Sequence, residues 1–211
     1  FNQMSPYRAD VIILTNVAKI AERAQERLLD YVLTGGNLIF FLGDKVDTAE
    51  YNRIFHDSKT RLLHARLGEA AGAPARLWRI SQIDLSHPAL APFKGKEGES
   101  LLSAQFNRVV QVEPNTTDPT TRVLLTLDND APLLFERKTG QGSVMLFTST
   151  ADRDWNDLAT RGAYLPLIQG LVRYLTFDNL QFPTTAGIAG RPVEVPLRES
   201  GIGSYVNVAA P

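Results

Sequence analysis

Residues 35–47 read GGNLIFFLGDKVD: two glycines, an unbroken apolar run, and then a glycine with two aspartates. The apolar run at 38–42 has the length and character of a strand that is buried on both faces, as in a parallel sheet. A buried strand that opens onto a glycine-containing turn is where many α/β enzymes carry their nucleophile. This turn supplies Asp44 and neither serine nor cysteine. Asp44 therefore either takes part in a reaction or only helps to shape the site.

The residues before this strand predict a βαβ unit. Residues 10–16 (DVIILTN) are rich in β-branched side chains, which is typical of a buried strand. Over residues 17–32, apolar side chains recur every three or four positions, as on an amphipathic helix of about four turns. Gly35 and Gly36 follow, and glycine ends helices because it adopts the left-handed conformation without steric cost. A strand, a helix and a second strand follow one another with short connections. This order predicts that the two strands pair in parallel, with the helix as the crossover.

The segment after residue 47 is less regular. Asp47 and Glu50 have the spacing of a capping box, which predicts a short helix over residues 48–55. Further along, prolines at positions 88 and 92 predict a mostly non-helical stretch. Residues 94–100 are polar and contain glycine, so we expect a surface loop there.

The second half of the chain has a clearer pattern of strands. Strands are predicted at 106–112, 123–127, 133–137 and 143–148, with a tight hairpin at 138–142. A helix is predicted over 163–177, where Pro166 is tolerated only in the first turn. From Pro183 the sequence becomes linker-like, and short strands are predicted at 191–197 and 204–208. We therefore expect an α/β domain over residues 1–182, and at 183–211 a short C-terminal β extension or the start of a truncated β domain.

Composition narrows the classes of function. The chain has 211 residues, of which 44% are hydrophobic and 21% charged, and its net charge is -1. A balance this close to neutral gives no strong field to attract nucleic acid or an anionic membrane. The absence of cysteine excludes disulfides, thiolate catalysis and cysteine-based metal sites. Because the chain opens on Phe1 rather than on methionine, we expect a fragment of a larger protein.

Five segments occur in an order that resembles a known family: residues 7–17 (YRADVIILTNV), 28–47 (LLDYVLTGGNLIFFLGDKVD), 87–93 (HPALAPF), 138–158 (KTGQGSVMLFTSTADRDWNDL) and 164–175 (YLPLIQGLVRYL). Together they resemble the class I glutamine amidotransferase-like (ThuA-like) domain. The version inside large bacterial membrane proteins with a BatA-type region and a von Willebrand A domain is the more similar one. The resemblance implies a flavodoxin-like, mostly parallel sheet with helices on both faces.

The resemblance also implies that the catalytic groups of the family are missing. In working amidotransferases, the strand ending at position 42 would lead into a cysteine nucleophile, and His and Glu partners would follow the strand ending near Thr148. This chain has Gly43, Asp44 and Lys45 at the first place, and Ser-Thr-Ala-Asp-Arg-Asp from position 149 at the second. Nothing remains there to activate an attacking atom in that manner. We therefore expect no catalytic residues, and an enzyme is the less favoured hypothesis.

Ligands bind at the carboxyl edge of open α/β sheets. The candidate ligand-binding residues at that edge are Gly43, Asp44, Lys45, Asp152, Asp154 and Trp155. Asp44 and the loop acids, Asp157 among them, offer the oxygen ligands that Mg²⁺ or Ca²⁺ prefer. Structural roles are favoured for these residues. Asp44 and Asp47 end a strand and cap a helix. Arg153 neutralises the loop acids, and Trp155 packs in the core rather than stacking on a ligand. His87 could be a general base, but a loop histidine bonded to backbone is favoured, and no metal or other cofactor is expected.

Two functions follow from these features. The first is a non-catalytic, amidotransferase-like binding or scaffolding domain of a larger bacterial membrane-anchored protein, in its extracytoplasmic (periplasmic) part. Its expected partners are other domains of the parent or another protein, without nucleic acid and without direct membrane insertion. The alternative is a carboxylate- or metal-dependent hydrolase or sugar-modifying enzyme that uses Asp44 with Asp152 and Asp154, since paired carboxylates do acid/base work when roughly 5 to 9 Å apart.

Overall fold

The computed structural model describes residues 9–57, 62–63, 65–72, 77–114 and 118–178, together with the backbone of strands at 193–197 and 204–208. The strands are β1 (Val11–Thr15), β2 (Asn37–Phe41), β3 (Ala65–Ala71), β4 (Trp78–Ile83), β5 (Gln105–Phe106), β6 (Val109–Pro114), β7 (Thr121–Leu127), β8 (Pro132–Thr139), β9 (Gly142–Phe147), β10 (Val193–Leu197) and β11 (Ser204–Val208). The α-helices are α1 (Glu22–Leu33), α2 (Thr48–Tyr51), α3 (Lys96–Leu102) and α4 (Tyr164–Arg173). Pro88–Lys94 and Leu158–Thr160 form 3₁₀ helices, and Asn52–His56 and Tyr174–Asp178 form π-helical turns.

The main sheet is mixed. Seven of the described strands pair in the order β1-β2-β9-β8-β7-β4-β5. β1, β2 and β9 run parallel, whereas the remaining neighbours are antiparallel. The expected α/β fold is confirmed, but the expected mostly parallel sheet was wrong. The reason is local: a tight turn at Gly140 joins β8 to β9, and so short a connection joins only antiparallel strands.

Helices cover both faces of the sheet. Successive side chains of a strand point to opposite faces, so one strand can pack against both helical layers. All five residues of β2 are buried. Leu38 and Phe40 pack in one apolar cluster with residues of α1. Ile39 and Phe41 pack in the other cluster, with residues of α4 and of the 3₁₀ helix at 88–94. The side chains of the unbroken apolar run at 38–42 are thus divided between two apolar clusters.

The βαβ unit is confirmed. β1 and β2 are parallel, in register from Val11 with Asn37 to Thr15 with Phe41, and α1 lies between them along the chain. Gly35 has a φ of 102°, the left-handed conformation that the sequence predicted for the helix end. A Cβ at Gly36 would overlap the ring of Tyr31, so the chain can turn back beneath α1 only with glycine at this position.

A separate antiparallel ribbon, β3 with β6, stands beside the main sheet. Leu67 and Val110 of the ribbon pack in the same apolar cluster as α1. The Val110 N–H donates to the carbonyl oxygen of Thr148 at 2.8 Å. This bond fastens the ribbon to the carboxyl end of β9, next to the edge where the candidate site was expected.

Local structure differs from the sequence predictions in three places. The side chain of Asp47 accepts from the Glu50 N–H at 3.0 Å, but the Glu50 carboxylate binds Arg53 instead of returning to the cap, so only half of the capping box forms. Residues 88–94 are 3₁₀-helical rather than non-helical, because Pro88 occupies the first position, where no N–H is needed. Helix α3 stands where a loop was expected at 94–100.

Strands β10 and β11 pair antiparallel, so both short strands predicted near the carboxyl terminus form. Residues 179–192, 198–203 and 209–211 lie outside the described residues. The division of the chain at position 182, and the truncated β domain that was one of its alternatives, therefore remain predictions.

Candidate functional site

The carboxyl ends of three parallel strands meet at one edge of the sheet. The Leu42 N–H donates to the Phe147 carbonyl at 3.0 Å, and the Asn16 N–H donates to the Phe41 carbonyl at 2.8 Å. The turns that follow β1, β2 and β9 therefore start side by side. This is the edge at which open α/β sheets bind ligands, and it carries all the candidate residues selected from the sequence.

Asn16 organises the turn after β2, and the sequence analysis missed it. Its Nδ2 donates to Oδ1 of Asp44 at 2.7 Å, and its Oδ1 accepts from the Lys45 N–H at 2.9 Å. Asn16 has a φ of 49°, a left-handed conformation that asparagine tolerates better than most residues. A Cβ at Gly43 would overlap the Asn16 side chain, so Gly43 is glycine to admit this amide. The signal in the sequence that could have pointed to this role was an asparagine directly after the apolar run of β1.

Asp44 is exposed and ionised. The hydrogen bond from Asn16 holds the pKa of Asp44 below its ordinary value, against a smaller opposing effect of desolvation, and the Lys45 charge acts in the same direction as Asn16. A general acid needs a raised pKa, and a carboxylate held anionic at the surface does not have one. The hydrogen bond between Asn16 and Asp44 shapes the turn, and Asp47, three residues on, is the helix cap.

Asp152 and Asp154 lie exposed on the loop after β9, where they form a turn with each other. Oδ1 of Asp152 accepts from the Asp154 N–H at 3.0 Å. Trp155 is buried, with only 4% of its surface exposed, and belongs to the apolar cluster of α1. The guanidinium of Arg108 lies 5.5 Å from the Trp155 ring centroid. The packing role favoured for Trp155 agrees with this geometry, and its aromatic face is already occupied.

Asp157 is held by the fold and not by Arg153. Its Oδ1 accepts from the Gln105 N–H at 2.8 Å, and its Oδ2 accepts from Arg161. Burial by itself would raise the pKa of Asp157, but the hydrogen bond and charge of Arg161 lower it below its ordinary value. In the part of the chain that the structure describes, no three His, Cys, Asp or Glu side chains come close enough together to hold a metal ion.

Three buried polar residues complete the edge, and none is arranged as a nucleophile. The Ser149 hydroxyl donates to the Arg108 carbonyl at 3.0 Å and accepts from Nδ2 of Asn156 at 3.2 Å. The same Nδ2 donates to the Thr150 carbonyl at 2.8 Å. These groups satisfy one another and the backbone, which is what buried polar atoms require. Their role is to fix the loop after β9.

A cleft of about 530 Å³ opens beside this edge, between the β3–β6 ribbon and the turn from β7 to β8. Its polar lining is Arg66, Gln111, Glu113, Asn129 and Asp130, over small apolar residues that include Val109 and Pro132. The cleft adjoins the end of β9, because the Thr148 hydroxyl donates to the Pro132 carbonyl at 3.1 Å. Its volume lies within the range of small-molecule and peptide sites.

His87 contacts backbone, as favoured, but also a buried acid that the sequence analysis missed. The Ala89 N–H donates to Nδ1 of His87 at 3.3 Å, and Nε2 lies 3.0 Å from Oε2 of Glu136. Glu136 is on β8, far away in sequence, and no local pattern pointed to it. His56 lies at the end of a π-helical turn, with its Nδ1 2.9 Å from Oδ1 of Asp57. His64 lies outside the described residues.

Comparison with known proteins gives a fold and no family. No family model matches the chain, and no curated protein matches it. Among solved structures, cytoplasmic protein STM3548 from Salmonella typhimurium is 19% identical, with a TM-score of 0.63 over 80% of this chain and 72% of that chain. Cytoplasmic protein STM1381 from Salmonella typhimurium LT2 is 16% identical, with a TM-score of 0.65 over 81% and 73%. A β-galactosidase from Rahnella sp. R3 is 12% identical, with a TM-score of 0.54 over 92% of this chain but only 26% of that chain.

These likenesses establish a shared fold alone. The extracytoplasmic, periplasmic location expected from the resemblance is not supported, since two of the matched structures are of proteins described as cytoplasmic. We withdraw that prediction. Within the described residues, no helix is both long enough and apolar enough to span a bilayer.

Proposed function

We propose that this chain is a non-catalytic, amidotransferase-like domain that binds a ligand or partner at the carboxyl edge of its sheet. The observation that carries the proposal is that polar side chains at that edge are bonded within the fold. Asp44 is bonded to Asn16, Asp152 to its own loop, and Ser149 to Arg108 and Asn156. Side chains committed in this way hold a surface in shape, whereas a catalytic acid or base must be open to substrate.

The cleft beside the edge supports a binding role. Its lining mixes amide, acidic and basic side chains with small apolar residues and contains no aromatic ring among the described residues. Sugar sites commonly stack the ring on an aromatic face, whereas peptide sites combine amide hydrogen bonds with small pockets. The lining therefore favours a polypeptide segment over a sugar as the occupant, as a binding or scaffolding domain requires.

The alternative, a hydrolase or sugar-modifying enzyme using Asp44 with Asp152 and Asp154, has less support. The pKa of Asp44 is lowered, and the acids gather into no metal-binding cluster in the described part of the chain. The β-galactosidase likeness covers about a quarter of that enzyme and carries no argument about its chemistry.

One experiment separates the two proposals. Wild type, Asp44→Asn and Asp154→Asn are assayed against a panel of p-nitrophenyl glycosides and against glutamine, with Mg²⁺, Ca²⁺ or Mn²⁺ and with a chelator. We expect no turnover that depends on either carboxylate. Turnover that falls by roughly tenfold or more in either variant, a loss of about 1.4 kcal/mol of transition-state stabilisation, would replace the binding proposal with the enzyme.

The binding role has its own test. Peptides selected on the wild-type domain from a random display library are measured against Gln111→Trp, which fills the cleft from β6, and against Gln82→Trp. Gln82 is another exposed strand glutamine, on β4 outside the cleft, so it is the matched control. We expect affinity to fall only in Gln111→Trp. Equal affinity for both variants would remove the cleft from the proposal.

A further inference from the structure

A second, smaller cavity lies between the loop after β9 and the edge strand β5. Its volume is about 170 Å³, and its lining is Leu77, Gln105, Asn107, Arg153, Asn156 and Asp157. The cavity is separate from the cleft used above, with no lining residue in common. A space of this size suits a group of a few heavy atoms, such as one amino-acid residue, rather than a larger ligand.

The backbone around this cavity is fixed, because two segments cross-link it. The Asp157 N–H donates to the Gln105 carbonyl at 3.0 Å, and the Asn107 N–H donates to the Trp155 carbonyl at 2.9 Å. Trp155 itself is anchored in the core. The lining side chains are therefore presented from a frame that does not need to form when a ligand arrives, which is the requirement for preorganised binding.

The charge that remains available in the cavity is positive. Both carboxylate oxygens of Asp157 are in use, one with the Gln105 N–H and one with Arg161. Arg153 has no ion-pair partner among the described residues, although Asp152 and Asp154 flank it in sequence. Those two aspartates do not line the cavity. A guanidinium is the side chain best suited to bind a carboxylate with two parallel hydrogen bonds.

Side-chain amides line the cavity together with the Arg153 guanidinium. The side-chain amides of Gln105 and Asn107 make no hydrogen bond within the described part of the chain, while the Asn156 amide is used by Ser149 and Thr150. Leu77 is 48% exposed and supplies an apolar wall. Donor groups next to an exposed apolar side chain match a ligand with a carboxylate and a short apolar group.

We propose that this cavity binds the carboxylate of a small apolar acid, either as a free molecule or as the terminal residue of a polypeptide. Arg153 binds the carboxylate, Gln105 and Asn107 donate to it, and Leu77 contacts the apolar substituent. A phosphate dianion is a poorer match, because one guanidinium is the cavity's single uncompensated charge among the described residues. The site is distinct from the cleft of the proposed function, and neither depends on the other.

The probes are N-acetyl-L-leucine and its uncharged amide, N-acetyl-L-leucinamide, titrated into ¹⁵N-labelled protein at low salt and followed by NMR. We expect saturable shifts at Asn107, Arg153 and the Gln105 side-chain amide with the acid, below about 10 mM, and none with the amide. A tripeptide ending in leucine, as free acid and as amide, then distinguishes a polypeptide terminus from a free acid. Tighter binding of the peptide acid identifies the terminus, and equal or weaker binding identifies the small acid, and both support the site.

The matched variants are Arg153→Gln and Arg27→Gln. Each removes one exposed positive charge, but Arg27 lies on α1 away from the cavity. We expect Arg153→Gln to weaken binding roughly tenfold or more and Arg27→Gln to leave it unchanged. Equal binding of acid and amide, an unaffected Arg153→Gln, binding of inorganic phosphate in place of the acid, or no saturable shift would each overturn the proposal.

Discussion

The imidazole of His87 and the carboxylate of Glu136 meet inside the core, with Nε2 and Oε2 3.0 Å apart and their side chains 1% and 5% exposed. Because the Ala89 N–H donates to Nδ1, the Nε2–H of His87 donates to Glu136. The hydroxyl of Tyr174 donates to the same oxygen at 3.2 Å, and Nζ of Lys138 lies 3.4 Å from the other. One acid thus ties β8 to the 3₁₀ helix at 88–94 and to the end of α4.

Replacing Glu136 with alanine should therefore destabilise the fold strongly. The substitution leaves the His87 and Tyr174 donors without their acceptor, and breaking a buried pair by removing one partner costs about 3 to 5 kcal/mol. Urea unfolding measures the loss. Glu26→Gln, on the exposed side of α1, is the control and should stay within about 0.5 kcal/mol of wild type. A Glu136→Ala loss as small as that of the control would contradict the linking role.

The contribution of Glu136 should fade in acid. Burial alone would raise its pKa, but the hydrogen bond from His87 and the charge of Lys138 oppose burial, and the pKa is held below its ordinary value of 4.5. A pKa that is lower in the folded state adds stability above the unfolded value, and that stability is lost as pH falls through the folded value. The difference in unfolding free energy between wild type and Glu136→Gln should be constant near neutral pH and shrink below 4.5.

Urea titrations of both proteins at several pH values check this dependence. Arg122 also faces the pair, because its charge interacts with Glu136 and Tyr174. It stays protonated throughout the range and cannot produce the change. A difference that stays constant or widens in acid would show that the Glu136 pKa is not lowered by folding.

Asn16 and Gly43 should be energetically coupled. A Cβ at Gly43 overlaps the Asn16 side chain, so Gly43→Ala forces the amide off Asp44 and should cost about 1 to 3 kcal/mol. Asn16→Gly removes the obstacle and suits the left-handed backbone at this position. In a double-mutant cycle of unfolding free energies, Gly43→Ala should cost less in the Asn16→Gly background than alone. Additive losses would mean that the two residues do not compete for this space.

Trp155 should behave as a core residue. It is 4% exposed and packs in the α1 cluster, so Trp155→Ala should cost about 3 to 5 kcal/mol. Leu165→Ala, which truncates a side chain that is 62% exposed, should change stability by less than about 0.5 kcal/mol. Chemical unfolding of the two variants provides the comparison. A near-neutral Trp155→Ala would return this residue to the ligand-binding candidates.

Much of the fold could be predicted, because its signals are local. The apolar run of β2, the periodicity of α1 and the glycine at its end each depend on neighbours within a few residues. The predicted hairpin at 138–142 was also correct, with Gly140 at a φ of 61°. That turn already required an antiparallel pair, so the mixed sheet was implied by the sequence even though the family resemblance favoured a parallel one.

The candidate site was harder to predict, since polar side chains carry no periodic signal that names their partners. Loop acids at 152 and 154 attracted attention by their type, yet they bond within their own turn. Asn16 lies 28 residues from Asp44, and its role follows only from the parallel pairing of β1 with β2. Arg153 was considered as a neutralising partner, and the structure instead places it in a cavity.

The sequence by itself determined most of the strands and the two longer helices, α1 and α4, because these depend on residue type and short-range spacing. The tertiary structure alone decided that His87 meets Glu136, 49 residues away, and that Asp44 is held by Asn16, which directly follows the neighbouring strand β1. The physical reason is that burial and periodicity specify which face of an element is covered. Which polar group meets which is fixed only when strands from distant parts of the chain pair.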